Sequence, residues 1–488
     1  MPILLSHLGP EKLGAYRAVT EMLGYLALLD IGLSFALPGV FAEAVAKGDR
    51  TVTLQTLTAA ARIYTSTAIL GVAIVIILAI AIPPVFGFAD EAATDLRLGL
   101  FLSCVPALLA KLAPLRNLLE ARQLGHLVQL VLIAGATVGF AVSAAAAVLG
   151  WGIAGQFLAA SIALIFNTLC IAAIELRYHP QEWAALMGSV PSQTSVVRRL
   201  WSQNLTGLLL NLCGRLSLVS DNIIISLILG PSAVVPFFAT QRLIQLALSQ
   251  TFAIGNVTWA GLADIYYRGE REVLRRRILE LTRYTLVIGL ATILPSAIWA
   301  RSFVRIWIGG EYFAGDVVLA LASLVAICQS LNALWGWIFA GTGQNRLLIP
   351  CALASSVLNV GVSLAATAIV GLPGPLIGSA VSFVVSTACW LPWLMRRHLR
   401  IDLRQLTQSV SKPLALACLY FTPITFGALR FPIEELFEAT IPRFLALVGI
   451  ATAAAGGFIG LSWFVILTEF ERREWRGRFR RIRPIQPA

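Results

Sequence analysis

Apolar runs of about twenty residues or more follow one another along almost the whole chain. They lie near 14–44, 58–82, 96–118, 126–149, 153–175, 202–229, 234–265, 280–301, 316–340, 347–370, 375–395, 411–429 and 443–468. Each is long enough to cross the roughly 30 Å hydrocarbon core of a bilayer as a helix. Lipid offers the backbone no hydrogen bonds, so a spanning segment must satisfy its own amides, and in runs of this length it does so as an α-helix. Composition agrees: 58% of residues are hydrophobic and 13% charged, against about a quarter charged in a soluble domain. No polar domain separates the runs. The expected fold is an all-α polytopic membrane protein of about 13 transmembrane helices.

One stretch occurs twice. Leu8-Gly9-Pro10, Ala42-Glu43 and Lys47-Gly48-Asp49-Arg50 return 221 positions later as Leu229-Gly230-Pro231, Ala263-Asp264 and Arg268-Gly269-Glu270-Arg271, and Arg62 matches Arg283 without a gap. Gln123/Gln344 and Gly150/Gly371 keep the same offset. The repeat predicts two six-helix bundles, the kind of duplication from which many secondary transporters build a central cavity. Met1 aligns with Asn222, so the apolar run before residue 222 has no counterpart in the first copy. The expectation is a missing first helix, fourteen spans when it is restored, and a start that is internal or shortened.

The basic residues report orientation. Of 37 lysines and arginines, 28 fall in alternate turns and the tail on one side, 8 fall on the other, and Arg215 is in mid-span. The basic side is expected to be cytoplasmic, with the C-terminus. Both copies then share one orientation, which makes the repeat parallel, about a pseudo-two-fold along the membrane normal. The net charge of +12 is thereby explained by topology and calls for no nucleic acid. The seven cysteines stand singly inside apolar runs, and His7, His126, His179 and His398 are scattered, so no metal site is expected.

The domain reading places an N-terminal bundle at 1–177, a cytoplasmic linker at 178–197 and a C-terminal bundle at 198–400. An appended transmembrane hairpin follows at 401–470, and a basic cytoplasmic tail at 471–488.

The Leu8-Gly9-Pro10-Glu11 turn, the string Gly24-Tyr25-Leu26-Ala27-Leu28-Leu29-Asp30-Ile31-Gly32-Leu33 and the closing Ala46-Lys47-Gly48-Asp49 carry a resemblance. The chain is similar to the polysaccharide and O-antigen flippases of the multidrug/oligosaccharidyl-lipid/polysaccharide exporter superfamily. That resemblance covers nearly the whole chain. It implies two bundles around a cavity that opens alternately to either side, and undecaprenyl-diphosphate-linked sugar units as cargo, moved from the inner to the outer leaflet of the bacterial cytoplasmic membrane. It further implies the bilayer, a coupling H+ or Na+, and polysaccharide polymerases and glycosyltransferases as partners, with no cofactor.

An anionic head group needs fixed positive charge, and ionisable residues within spans are functional candidates because they are costly to insert. Arg215 is the clearest, as a diphosphate contact or as half of a structural ion pair; Asp221, six residues on, points away from it on one helix. Glu21 and Arg242 are repeat equivalents, so a gating salt bridge between them competes with a local Arg17–Glu21 pair at i,i+4 spacing. Asp30, in mid-run above a kink-prone Pro38, is either a coupling carboxylate or a structural acid, and Asp221 is open to the same readings. Gln241, Gln245 and Asn256 form a polar stripe suited to sugar hydroxyls or to helix packing.

Enzyme chemistry finds no support. Gly341-Thr342-Gly343-Gln344 lacks the lysine and spacing of a phosphate-binding loop, and no nucleophile–base or paired-carboxylate arrangement stands out. Two other readings stay open: a cation-coupled multidrug or metabolite exporter of the same superfamily, and a non-transporting membrane component of a polysaccharide assembly complex.

Overall fold

The computed structural model describes residues 1–30, 33–88, 90–187, 208–217, 220–430, 440–467, 469 and 471–473. Among them the chain is helical throughout, without strands. Among the described residues ten helices are long and apolar enough to cross a membrane, and Leu208–Ser217 with Asp221–Ile228, bent by 47°, makes an eleventh candidate span. This is a multi-pass membrane protein.

Two of the thirteen apolar runs are helical but do not make a long apolar helix. Run 14–44 is divided into α1 (Pro2–Gly24), a 3-10 turn (Tyr25–Asp30) and α2 (Leu33–Ala46). Run 234–265 is the single helix α11 (Val234–Tyr267), diluted by Gln241, Arg242, Gln245, Gln250 and Asn256. The remaining helices, in chain order, are α3 (Arg50–Val85), α4 (Asp90–Ser103), α5 (Pro114–Ala121), α6 (Gly125–Val148), α7 (Gly152–Tyr178) and α8 (Glu182–Leu186). After α9 (Leu208–Ser217) and α10 (Asp221–Ile228) come α11, α12 (Arg271–Ile298), α13 (Ala300–Trp307), α14 (Asp316–Gly341), α15 (Ile349–Val370) and α16 (Gly374–Val385). A π turn (Ser386–Trp390) leads into α17 (Leu391–Leu399), followed by α18 (Leu403–Arg430) and α19 (Thr440–Val465).

The sequence repeat is written into the backbone. Gly9 and Gly230, Gly48 and Gly269, and Gly150 and Gly371 all have positive φ, a conformation that glycine adopts without steric cost. Gly48 donates to Val45 and Asp49 to Ala44; 221 residues later Gly269 donates to Tyr266 and Glu270 to Ile265. This pattern closes a helix by satisfying its last carbonyls. The next helices begin at Arg50 and Arg271, again 221 apart. In the first copy the Asp49 carboxylate also accepts from the Val52 amide at 3.0 Å, an N-cap that stabilises by about 1 kcal/mol.

Contacts divide the chain into two compact units, Met1–Val235 with Thr367–Pro375, and Pro236–Ala366 with Leu376–Ala488. Among the described residues the first unit holds two apolar clusters. One joins Ala15, Val19, Val75, Leu96, Leu100 and Phe157; the other joins Phe41, Leu57, Leu115, Leu118 and Val128. Close helix approach uses small residues, as membrane packing requires: a Cβ on Gly135 would fall on the Asn167 side chain, and one on Gly139 would crowd Ala163. The second unit is built around Leu286, Leu290, Trp335, Phe339, Phe421 and Phe458, with the buried Trp335 indole donating to Thr282 Oγ1 at 3.1 Å.

Two features differ from the sequence reading of the domains. Helix α10 packs on α1 within the first unit, whereas sequence position puts it in the second bundle. The start of the segment read as a linker is folded: Glu182, Ala185 and Leu186 are buried, and Thr58 donates to the Ala185 carbonyl at 2.9 Å. Residues 188–197 of that segment and residues 474–488 of the basic tail lie outside the described residues.

Candidate functional site

The first unit gathers ionisable groups where α1 meets the bent pair α9–α10. Arg17, Glu21 and Tyr25 follow one another at four-residue spacing, which stacks them on one side of the helix. The Glu21 carboxylate accepts from the Asn222 side-chain amide, and the Arg17 and Asp221 charges both act on it. The Tyr25 hydroxyl donates to the Arg215 carbonyl at 3.2 Å. The Arg215 guanidinium lies against Gly24, where an added Cβ would meet Nη1 at 3.2 Å. Local sequence explains the access: Gly24 ends α1 and has no side chain to exclude the guanidinium.

Several polar atoms of this cluster remain unsatisfied. Arg215 Nε, Glu21 Oε2, Asp221 Oδ1 and Asn222 Oδ1 are buried without a hydrogen bond among the described residues. A buried polar atom left unpaired costs roughly 1–3 kcal/mol, so the cluster has the capacity to take water, a proton, a small cation or an anionic oxygen. Arg215 precedes the 47° bend between Ser217 and Asp221, and Asp221 follows it. Tyr25 lies within electrostatic reach of both.

The other candidates are spread more widely. Gln241 is buried and donates to the Phe237 carbonyl of its own helix at 3.3 Å, while Arg242 lies 5.6 Å from the Phe238 ring centroid. Both belong to the second unit. Gln245 and Asn256 are exposed on α11. Asp30 ends the 3-10 turn, and its side chain lies outside the described residues.

A second polar centre was missed in the sequence. Arg122, at the end of α5, makes ion pairs with Glu175 on α7 and Glu182 on α8. It also lies 2.8 Å from His179 Nδ1. Arginine only donates, so Nδ1 accepts and the imidazole is neutral. Burial and the Arg122 charge lower the His179 pKa, and burial raises that of Glu182. The Glu175, His179 and Glu182 ligand atoms lie within 4.8 Å of one another, a set that suits a divalent cation, but here the Arg122 guanidinium supplies the positive charge. The four-residue spacing of Glu175 and His179 is the local signal for part of this set; Glu182 begins α8, beyond the end of α7 at Tyr178.

A cavity of about 430 Å³ in the first unit is lined by Lys12, Glu91, Asp95 and the Gly150-Trp151-Gly152 turn. Asp95 faces the start of α7 and accepts from the Ile153 and Ala154 amides at 2.7 and 3.0 Å. Its role is thus accounted for as a cap supplied from a neighbouring helix.

Known structures share this architecture. The lipid II flippase MurJ in an inward closed conformation superposes with a TM-score of 0.65 at 11% identity, covering 95% of each chain. An inward-facing multidrug resistance MATE family transporter of the MOP superfamily superposes at 0.63 and 16% identity, over 82% of this chain and 93% of that one. An outward-facing MATE transporter of the same superfamily reaches 0.59 at 17% identity, over 82% and 90%. The chain therefore has the all-α fold seen in these MATE and MurJ structures. No curated protein matches the chain significantly in sequence. The sequence profile described as polysaccharide biosynthesis protein matches residues 1–259, more than half of the chain, and the protein belongs to that family.

Proposed function

We propose that the protein is a flippase that moves undecaprenyl-diphosphate-linked oligosaccharide units from the inner to the outer leaflet of the bacterial cytoplasmic membrane, for O-antigen, capsule or exopolysaccharide synthesis. Transport proceeds by alternating access of its two bundles, with the C-terminus on the cytoplasmic side. The observation that carries this reading is Arg215: a half-buried mid-span guanidinium whose Nε has no hydrogen bond among the described residues. An intramembrane cation is expensive unless it serves a pathway, and a diphosphate is the group it would serve. The fold shared with a lipid II flippase over 95% of both chains supports a lipid-linked cargo. In the same reading Arg242, Gln241, Gln245 and Asn256 contribute to the cargo path, while Arg17, Glu21, Asp30 and Asp221 serve gating or H+ or Na+ coupling. Polymerases and glycosyltransferases act before and after it.

The test is the fate of lipid-linked glycans in a strain lacking the protein. Accumulation on the inner leaflet with loss of surface polysaccharide, restored by the wild-type chain and not by an Arg215→Ala variant inserted at equal level, is the expected result. Normal surface polysaccharide in the deletion strain would sink the reading.

A cation-coupled exporter is the second reading, favoured by the Glu21 and Asp221 carboxylates beside Arg17 and by the MATE relatives. It predicts unchanged glycans and new sensitivity to cationic drugs. A non-transporting assembly component predicts lost polysaccharide with rescue by Arg215→Ala.

A further inference from the structure

The second unit carries a basic face that the transport reading does not use. Arg396 and Arg397 lie in the last turn of α17 and Arg400 caps it. Within five residues at one helix end all three side chains are exposed. Arg275 of α12 donates toward the Leu399 carbonyl at 3.5 Å, which brings the basic start of α12 beside them. Arg404 and Lys412 follow, exposed on the first turns of α18. Like charges crowded in this way repel, and neutralising acids are the usual remedy.

Those acids are engaged elsewhere. Glu272 pairs with Arg275, and Glu280 pairs with Arg276 and Arg277. The Asp402 carboxylate accepts from the Arg404 amide at 2.9 Å, capping α18. Among the described residues no carboxylate pairs with Arg396, Arg397, Arg400, Arg404 or Lys412. The face therefore holds five cations that no described carboxylate pairs with, which makes it a surface suited to an external anion.

Two further observations place that counter-charge at the membrane surface. Trp393, one turn before Arg397, is 50% exposed, and the Arg397 guanidinium lies 5.3 Å from its ring centroid. Exposed tryptophan at the end of a spanning segment marks the headgroup layer, and Gly374–Leu399 is such a segment. Arg400 has φ +52, the left-handed cap position where glycine is the usual residue. An arginine at a position that favours glycine indicates that its side chain serves a purpose beyond ending the helix.

We infer that Trp393, Arg396, Arg397, Arg400 and Arg404 form a binding site for the phosphate of an anionic phospholipid. The guanidinium groups hold the phosphate oxygens, and the Trp393 ring lies at the level of the glycerol and upper acyl chain. Lys412, two turns further along α18, extends the positive surface. The site is independent of the transport reading and of the cargo.

The test uses the full chain purified in neutral detergent and mixed with phosphatidylglycerol, phosphatidylcholine or inorganic phosphate, read by native mass spectrometry and by Tm. Phosphatidylglycerol is expected to remain bound and to raise Tm, with phosphatidylcholine and inorganic phosphate doing neither. Each arginine removed should weaken retention about five-fold, which corresponds to about 1 kcal/mol per cation at a membrane surface. Arg400→Gly is the discriminating variant: its backbone relaxes, so Tm without lipid is unchanged or higher while retention falls. A charge-matched control, Lys47→Ala with Arg50→Ala and Arg116→Ala in the first unit, should retain the lipid. Undiminished retention by Arg400→Gly together with the Arg396→Ala/Arg397→Ala double variant overturns the site. Equal loss in the control, or an equal Tm rise with inorganic phosphate, overturns it as well.

Discussion

Gly14 of α1 lies directly against the carbonyl of Pro231: a Cβ built on it would fall on the carbonyl oxygen, far inside van der Waals contact. The first-copy helix therefore packs on the Leu229-Gly230-Pro231 turn of the second copy, and both belong to the first unit. Backbone meets backbone here, so no side chain can swing aside.

Gly14→Ala should accordingly destabilise the protein by about 1–3 kcal/mol through overpacking, although alanine is the better helix former. A Tm measured in detergent that stays unchanged or rises would show that the close approach is absent.

Asp95 caps a helix other than its own. Its carboxylate accepts from the Ile153 and Ala154 amides, and Gly152, with φ +54, leaves room for it. Asp95→Ala should cost about 1 kcal/mol and Asp95→Asn less, because the amide oxygen still accepts. Equal Tm losses for both variants would assign the effect to charge rather than capping.

Arg122 neutralises two carboxylates that are almost wholly buried, Glu175 and Glu182. Removing one partner of a buried ion pair costs about 3–5 kcal/mol because the remaining charge is stranded. Arg122→Ala should therefore be expressed poorly, and Arg122→Ala with Glu175→Gln and Glu182→Gln should recover folding. No recovery in the triple variant would assign the loss to the arginine's packing instead.

The same centre predicts a pH response. The His179 pKa is lowered from 6.5 in the folded state, so the unfolded chain binds the proton more readily and stability is lost as pH falls below about 6.5. The Glu182 pKa is raised from 4.5, which acts oppositely: stability declines as pH rises from about 4.5 through the higher folded value. The two effects act in opposite directions in the wild type. His179→Gln should lose less Tm on going from pH 7 to pH 5.5 than the wild type, and Glu182→Gln should lose more. Identical pH profiles for all three proteins would remove both groups as titrating elements.

Legibility along the chain followed the range of the interaction. Helix ends around Gly48 and Gly269 could be read directly, because a turn of five residues is specified by its own glycine and hydrogen bonds. The break at Tyr25–Asp30 could not. The aligned residues 246–251 of the second copy continue as an unbroken helix, so the local pattern alone does not decide between the two outcomes. Glu21 and Asn222 are 201 positions apart, and nothing local to either residue names the other. His179 reads as isolated in the sequence, because Arg122, 57 positions earlier, is what joins it to Glu182.

By itself, the sequence determined that this protein is a duplicated, all-helical membrane protein, because hydrophobic length and glycine turns act within a few residues and lipid leaves the backbone no alternative. Only the tertiary structure decided that α10 joins the first unit, that Arg215 rests on Gly24 and that Arg122 ties α5 to α7 and α8. The physical reason is that lipid is as apolar as the helix surfaces, so hydrophobicity does not choose partners within the membrane. That choice falls to small residues that admit a neighbour and to polar groups that need one.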